Sequence, residues 1–134
     1  MFNLEVYHQD LRKIESRIED KIANKNGMYL RYANYDTVEK EGVERIIDNL
    51  DEIAVKGYVR FESERNDFFG GPKSKDYRSK ILKNPTWLEV AVYCEKKIRK
   101  TRDYHHCFLE AIKFLRTEKI KGKEVQIFDF SMGS

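Results

Sequence analysis

Apolar residues recur every three or four positions at the start of the chain, which is the spacing of one face of an α-helix. The set is Leu4, Tyr7, Leu11, Ile14, Ile18 and Ile22. Gly27 suits the left-handed position that follows a helix end, so we predict an N-terminal amphipathic helix over residues 4–22. The stripe is as narrow as a coiled-coil seam, which leaves two alternatives: dimerisation through this helix, or packing on the chain's own core.

Shorter segments follow this helix. Alternation of apolar and polar residues predicts a strand over residues 28–33 and another over residues 58–63. Between them, residues 36–53 have helical spacing, and Asp36 and Glu39 are placed as a capping box. These segments predict a strand, a helix and a second strand in that order.

The last regular segment covers residues 124–130, after a turn at Lys121-Gly122-Lys123. Val125 and Ile127 lie on one side of this predicted strand, and Phe128 and Phe130 lie on the other. Because both sides are apolar, we expect both to be covered, with a second subunit as one candidate for the aromatic side.

A helical unit is predicted from residue 84. Asn84 is a good N-cap, and Pro85 suits the first helical position, where no amide is needed. Its apolar stripe continues through two sets: Trp87, Leu88, Ala91, Cys94 and Ile98, then Tyr104, Phe108, Ala111 and Leu115. Two versions of this unit remain open, one continuous and one broken near Thr101.

These elements predict an α+β fold in one domain over residues 1–134. We expect a small antiparallel sheet of about three to four strands packed against helices. The amphipathic helix lies at the N-terminal end, and the helical unit lies in the C-terminal half.

Composition narrows the class of protein. The chain has 134 residues, of which 40% are hydrophobic and 37% are charged, so we expect a folded core with a densely charged surface. We see no targeting segment, and no apolar run reaches the roughly 18 residues that span a bilayer. We therefore expect a soluble cytoplasmic protein with no membrane partner. Both cysteines, Cys94 and Cys107, lie at apolar helical positions, so we expect small core residues rather than metal ligands.

The net charge of +3 is unevenly distributed. Residues 73–102 contain ten basic and three acidic side chains, so this segment carries +7 and the remainder carries −4. A basic segment of this kind indicates an anionic partner or a solubilising surface. Just before it, Phe68-Phe69-Gly70-Gly71-Pro72 predicts a surface loop, whose two aromatic residues are expected to cover something.

The candidate chemistry lies between residues 84 and 110 and depends on the break near Thr101. In a continuous helix, Arg99, Asp103, His106 and Glu110 share one face. His106 between two carboxylates is then a candidate general base or a partial metal site.

If Thr101 or Asp103 starts a new helix, His105 and His106 lie in its first turn. The free amides there form an anion site, with Arg99 and Arg102 alongside. A third interpretation gives these residues no functional role: His105 is then a hydrogen-bonded core histidine, and Glu110 only makes a surface ion pair.

Two stretches, 84–89 and 103–110, resemble a pattern found in small phage-encoded proteins, and the nearest functional family is the Thoeris anti-defence sponges. These phage proteins bind a cyclic ADP-ribose signal and hold it without cleaving it. The resemblance implies an oligomer with nucleotide pockets near subunit interfaces, in the host-cell cytoplasm. It transfers no ligand-contacting residue to this sequence.

Our first hypothesis is therefore non-enzymatic sequestration of a phosphate-bearing small ligand, such as a nucleotide-derived signal, by a homo-oligomer without a cofactor. Its candidate ligand-binding residues are Arg99, Arg102, Asp103, His105, His106, Glu110, Phe68, Phe69 and Trp87, with aromatic rings available to stack on a base. The alternative is a metal-dependent phosphoester hydrolase that uses Asp103, His106 and Glu110. A nucleic-acid-binding or structural phage protein is the third.

Overall fold

The structure, a computed structural model, describes residues 32–33 and 51–133 of the chain. The predicted N-terminal helix lies outside these residues, as do most of the predicted strand 28–33 and most of the predicted helix 36–53. Residues 51–53, the end of that second helix prediction, are not helical, since Ile53 instead forms an isolated antiparallel bridge with Thr86.

Five strands form one mixed sheet, in the order β2-β1-β5-β4 with β3 also paired to β1. They are β1 (Tyr58–Ser63), β2 (Tyr77–Arg78), β3 (Leu82–Lys83), β4 (Phe108–Ile120) and β5 (Lys123–Gly133). β1 and β5 confirm two of the three predicted strands, those over residues 58–63 and 124–130. They run parallel to each other, and the other pairs are antiparallel. The expectation of an antiparallel sheet of three to four strands is therefore wrong in strand number and in one pairing, while the α+β class is confirmed.

Two helices interrupt the strands. The single turn α1 (Asp67–Gly70) continues into a 3-10 turn (Gly71–Lys73), and the longer helix is α2 (Trp87–Thr101). Thr86, not the predicted Asn84, caps α2, and it forms a capping box with Glu89. Asn84 adopts a left-handed conformation, and its side chain accepts a hydrogen bond from the Gly57 amide at 2.6 Å.

The prediction of helix beyond residue 103 is wrong in both of its versions. α2 does end at Thr101, but residues 108–120 form β4. The turn at Lys121 and Gly122 has positive φ at both residues, as a tight two-residue hairpin needs. β5 then pairs with β4 from Phe108↔Gly133 to Ile120↔Lys123. This ladder satisfies the backbone groups of β4 that face β5, in a segment whose apolar spacing alone favoured a helix.

The core lies between α2 and one face of the sheet. The predicted stripe of α2 is confirmed, because Trp87, Leu88, Ala91, Cys94 and Ile98 are all buried. On the sheet, Phe61 of β1 stacks on Tyr93 of α2 and on Phe130 of β5, with ring centroids 6.2 and 4.8 Å apart.

Both faces of β5 are buried, as the sequence predicted. Val125 and Ile127 are inaccessible, and Phe128 and Phe130 belong to the core cluster that α2 covers. The aromatic face of β5 is therefore covered by the same chain and does not require a second subunit. Within residues 51–133, neither helix combines the length and the apolarity needed to cross a bilayer.

The two cysteines differ in accessibility. Cys94 is inaccessible, and burial raises the pKa of its thiol. Cys107 is half-buried, and burial together with the charges of Asp103 and Glu95 raises the pKa of its thiol as well. The two thiols are therefore expected to react at very different rates, because only one of them is open to a reagent.

We expect a maleimide reagent at neutral pH to label one thiol of the native protein slowly and the second only after unfolding. Mass spectrometry of the intact chain counts the labels. In the native Cys107→Ser variant, labelling should be abolished. Labelling that persists there would contradict the burial of Cys94.

Candidate functional site

A cavity of about 750 Å³ opens beside the C-terminal end of α2. Its other walls are the end of β1 with the segment that follows it, β2, and the β4–β5 hairpin. Lys97, Asp103 and His106 line it from the α2 side, and Ser63 and Asp129 line it from the sheet. Its volume lies within the range of roughly 300 to 1,000 Å³ that small-molecule sites occupy.

Asp103 shapes the loop that follows α2. Arg102 ends the helix in a left-handed conformation, with φ 57°. The Oδ1 atom of Asp103 accepts hydrogen bonds from the backbone N–H groups of His105 and His106, both at 3.2 Å. This Asx-type turn stands where the two sequence predictions placed either a continuous helix or the first turn of a new one.

The second oxygen of Asp103 holds the ring of His106. The Nδ1 atom of His106 lies 2.9 Å from Asp103 Oδ2. Burial by itself raises the pKa of Asp103, but the hydrogen bonds from the ring and the backbone outweigh it, so the pKa lies below the ordinary value of 3.8. The carboxylate is therefore ionised at neutral pH and accepts the Nδ1–H, which leaves Nε2 of the neutral imidazole as a proton acceptor.

The segment 66–75 is anchored to the end of α2. Ser74 Oγ donates to the carbonyl of Thr101 at 2.6 Å, and the Lys75 amide donates to the carbonyl of Lys100 at 3.2 Å. Gly70 packs so closely that a Cβ atom there would collide with the Thr101 carbonyl oxygen. The last carbonyl groups of α2 have no hydrogen-bond donor within the helix, and this segment provides donors for two of them.

Asn66 links that segment to Asp103. Its Oδ1 atom caps α1 by accepting from the Phe69 amide at 3.1 Å, and its Nδ2 atom donates to Asp103 Oδ2 at 3.3 Å. One side chain therefore positions both the turn that carries Phe69 and the carboxylate that orients His106.

Four aromatic rings gather at this junction. Phe69 and His105 stack in parallel, with centroids 4.7 Å apart and an interplanar angle of 2°. The ring of His106 meets both of them edge to face at 4.8 Å. Phe68 contacts Phe69 edge to face and is 87% exposed, whereas Phe69 is 42% exposed. We call the stacked pair of Phe69 and His105 the aromatic ledge.

Several charged groups of the cavity neutralise one another. Glu62 lies 2.8 Å from Arg116 and 3.7 Å from Arg78, and Arg116 also pairs with Glu118 at 2.9 Å. The hydroxyl of Ser63 donates to Asp129. These contacts connect the strands of the cavity wall, and both of its arginines are ion-paired with glutamate side chains.

Lys97 differs from these groups. It is only 8% exposed, and its ammonium group makes no hydrogen bond or salt bridge to any residue in 32–33 or 51–133. The Tyr77 hydroxyl also has no hydrogen-bond partner there, but it is buried behind the wall. Burial raises the pKa of Tyr77, so its hydroxyl stays protonated.

The structure separates the predicted ligand-binding residues into two groups. Asp103, His105, His106, Phe68 and Phe69 are brought together, with Asp103 and His106 in the cavity wall and the others at its margin.

The other four predicted residues lie elsewhere. Arg99 pairs with the buried Glu95 at 2.6 Å, and Arg102 is the exposed residue that ends α2. The Glu110 side chain lies against Gly133 on the β4–β5 hairpin. Trp87 is a core residue. None of the four lines the cavity.

Lys97 is the cavity residue that the sequence patterns did not single out. It follows Val90 and Cys94 at helical spacing and precedes Thr101, and all four are buried. A lysine on an apolar helix stripe is the signal that could have identified it, because lysine is almost never buried without a partner.

Within residues 32–33 and 51–133, no three His, Cys, Asp or Glu side chains lie close enough together to bind one metal ion. In particular, Glu110 does not join Asp103 and His106.

Neither a protein-family model, nor a curated protein, nor a solved structure matches this chain.

Asp103→Asn tests the electrostatic role of the loop. The variant keeps an oxygen that can accept from the backbone amides but loses the charge that holds His106. At pH 7 we expect the free energy of unfolding to fall by about 1 to 2 kcal/mol. Because the pKa of Asp103 is lowered by folding, its contribution is present above pH 3.8 and is lost as pH falls through the lowered pKa. Denaturant titrations should therefore show the two proteins converging in acid.

The control for this experiment is Glu124→Gln, which removes one exposed carboxylate from β5. It should change the free energy of unfolding little at neutral pH or in acid. A difference between wild type and Asp103→Asn that is the same at neutral pH and below the lowered pKa would refute the assigned ionisation.

Proposed function

We propose that the cavity binds a small ligand that carries a phosphate group, and that the protein holds this ligand rather than transforming it. The observation that carries the proposal is the side chain of Lys97, buried in the cavity wall with no described partner for its ammonium group. The Lys97 ammonium nitrogen is not among the fully buried polar atoms of the described residues, so it opens to the cavity, where an opposite charge can pair with it. A bound anion supplies that charge.

Other polar groups of the wall indicate what surrounds the anion. Glu64 and Asp76, which also line the cavity, can accept from a ligand hydroxyl or amine. The ring of His106 lines the same wall. A phosphate attached to a hydroxyl-rich body satisfies both the Lys97 ammonium group and these carboxylates.

The charge of the wall limits the charge of the ligand. Five carboxylates and three permanent cations line the cavity, so its formal charge is −2 with His106 neutral. Two of those cations, Arg78 and Arg116, pair with Glu62, so Lys97 is the one permanent cation of the described wall that has no partner. A ligand with one or two negative charges matches this wall better than a more highly charged polyphosphate.

We propose further that the ligand is a nucleotide-derived signal, and that a homo-oligomer sequesters it as an anti-defence function. Cyclic ADP-ribose is the specific candidate, with one phosphate at Lys97 and the other beside the ring of His106. Isothermal titration calorimetry of cyclic ADP-ribose with the purified chain tests this identity. If no binding is detected, cyclic ADP-ribose is not the ligand.

Lys97→Met tests the proposed binding site. The substitution removes the charge and keeps most of the side-chain volume. We expect ribose 5-phosphate to bind the wild-type protein in isothermal titration calorimetry and to bind the variant at least tenfold more weakly, since a hydrogen bond to a charged group contributes about 1.5 to 3 kcal/mol.

The matched control is Lys100→Met, which removes an exposed lysine of the same helix and changes the net charge equally. It should leave the affinity within about twofold of wild type, as expected for a charge outside the cavity. No binding to the wild-type protein, or an equal loss in both variants, would overturn the proposal.

A second candidate function is acid–base catalysis on the bound ligand. It is favoured by the 2.9 Å contact between Asp103 and His106, which orients the imidazole and leaves Nε2 able to take a proton. In phosphoester hydrolysis, water would add to phosphorus as its proton passes to Nε2, and the ester oxygen would leave and take up a proton from solvent.

Release of p-nitrophenol from bis(p-nitrophenyl) phosphate measures this activity. If the candidate is correct, wild-type protein releases the product and His106→Gln loses roughly 100-fold or more of the rate, as removal of a general base does. Equal rates for the two proteins would eliminate it and leave binding as the function.

A further inference from the structure

We infer that the ligand of the cavity also carries a planar aromatic ring, which stacks on the aromatic ledge formed by Phe69 and His105. This inference rests on the proposed function and assigns the surface that takes the aromatic base of the ligand. The juxtaposition that supports it is a stacked, solvent-facing ring pair at the margin of a cavity that contains a cation without a described partner.

The ledge is continuous with the cavity. The ring of His106 lines the cavity and also lies 4.8 Å from the rings of both Phe69 and His105. Asn66 lines the cavity as well, and it caps the turn that carries Phe69. A ligand held by Lys97 can therefore extend past His106 onto the ledge without leaving the protein surface.

The ledge is also held in place before any ligand binds. Asn66 fixes the amide of Phe69, and Gly70 lies directly against the carbonyl of Thr101. On the other side, the Asx-type turn of Asp103 fixes the backbone of His105. A preformed stacking surface costs less entropy to occupy than one that must be ordered on binding.

The exposure of these rings is not explained by the core. Phe69 is 42% exposed although it belongs to a segment that is anchored tightly to α2. Flat rings in parallel stacking offer a π-face of the kind that binds nucleobases with little regard to their hydrogen-bonding edges. The ligand class is therefore a phosphate joined through a hydroxyl-bearing group to an aromatic heterocycle.

Three probes separate this inference from the proposed function: ribose 5-phosphate, adenosine 5′-monophosphate and adenosine. Calorimetry with the full chain should show adenosine 5′-monophosphate binding about tenfold more tightly than ribose 5-phosphate, the factor expected for one stacked base. Adenosine, which lacks the phosphate, should bind more weakly than adenosine 5′-monophosphate.

Phe69→Leu should remove the advantage of adenosine 5′-monophosphate and leave the affinity for ribose 5-phosphate unchanged. Phe68→Leu is the matched control, because Phe68 is outside the ledge and its loss should preserve the advantage. Equal affinities of the two phosphates for wild-type protein would overturn the inference and leave the proposed function standing. If ribose 5-phosphate fails to bind, the proposed function falls and this inference falls with it.

Discussion

The end of α2 at Thr101 is the constraint on which the site depends. A helix leaves its last carbonyl groups without partners in the helix, and here they lie against protein rather than in water. The segment 66–75 satisfies them through Ser74 and the Lys75 amide. Because Gly70 has no side chain, that segment approaches the Thr101 carbonyl closely enough to be fixed there. The position of the aromatic ledge follows from this packing.

The same helix end sets the chemistry of the loop. Arg102 turns the chain out of the helix, and Asp103 then bonds the next amides and the ring of His106. One buried carboxylate thereby fixes a backbone turn, an imidazole orientation and, through Asn66, the neighbouring segment. Loss of its charge is expected to affect all three together, since hydrogen bonds in a shared network are not independent.

The net charge of residues 73–102 is positive, whereas the net charge of the residues that line the cavity is negative. Residues 73–102 are strongly basic, yet the cavity wall contains more carboxylates than cations. Folding pairs Arg78 with Glu62 and leaves most lysines of the segment exposed outside the cavity, so the local potential depends on placement and pairing and not on the sequence total. Lys97 retains its importance because it is buried in that wall without a described partner.

The sequence by itself determined the strands β1 and β5, the buried stripe of α2 and the turn at Gly122, because each follows from local spacing or from turn chemistry. Asp103 and His106 do lie together, but through a turn and not on the helix face from which the sequence predicted it. The tertiary structure decided that residues 108–120 form β4, that β1 runs parallel to β5, and that Glu110 lies away from the histidines. It also placed Lys97 in a cavity wall. The reason is physical: apolar spacing in residues 104–115 suits a helix, but the hydrogen bonds of the β4–β5 ladder form only when two separate stretches of chain meet. No local pattern contains that pairing.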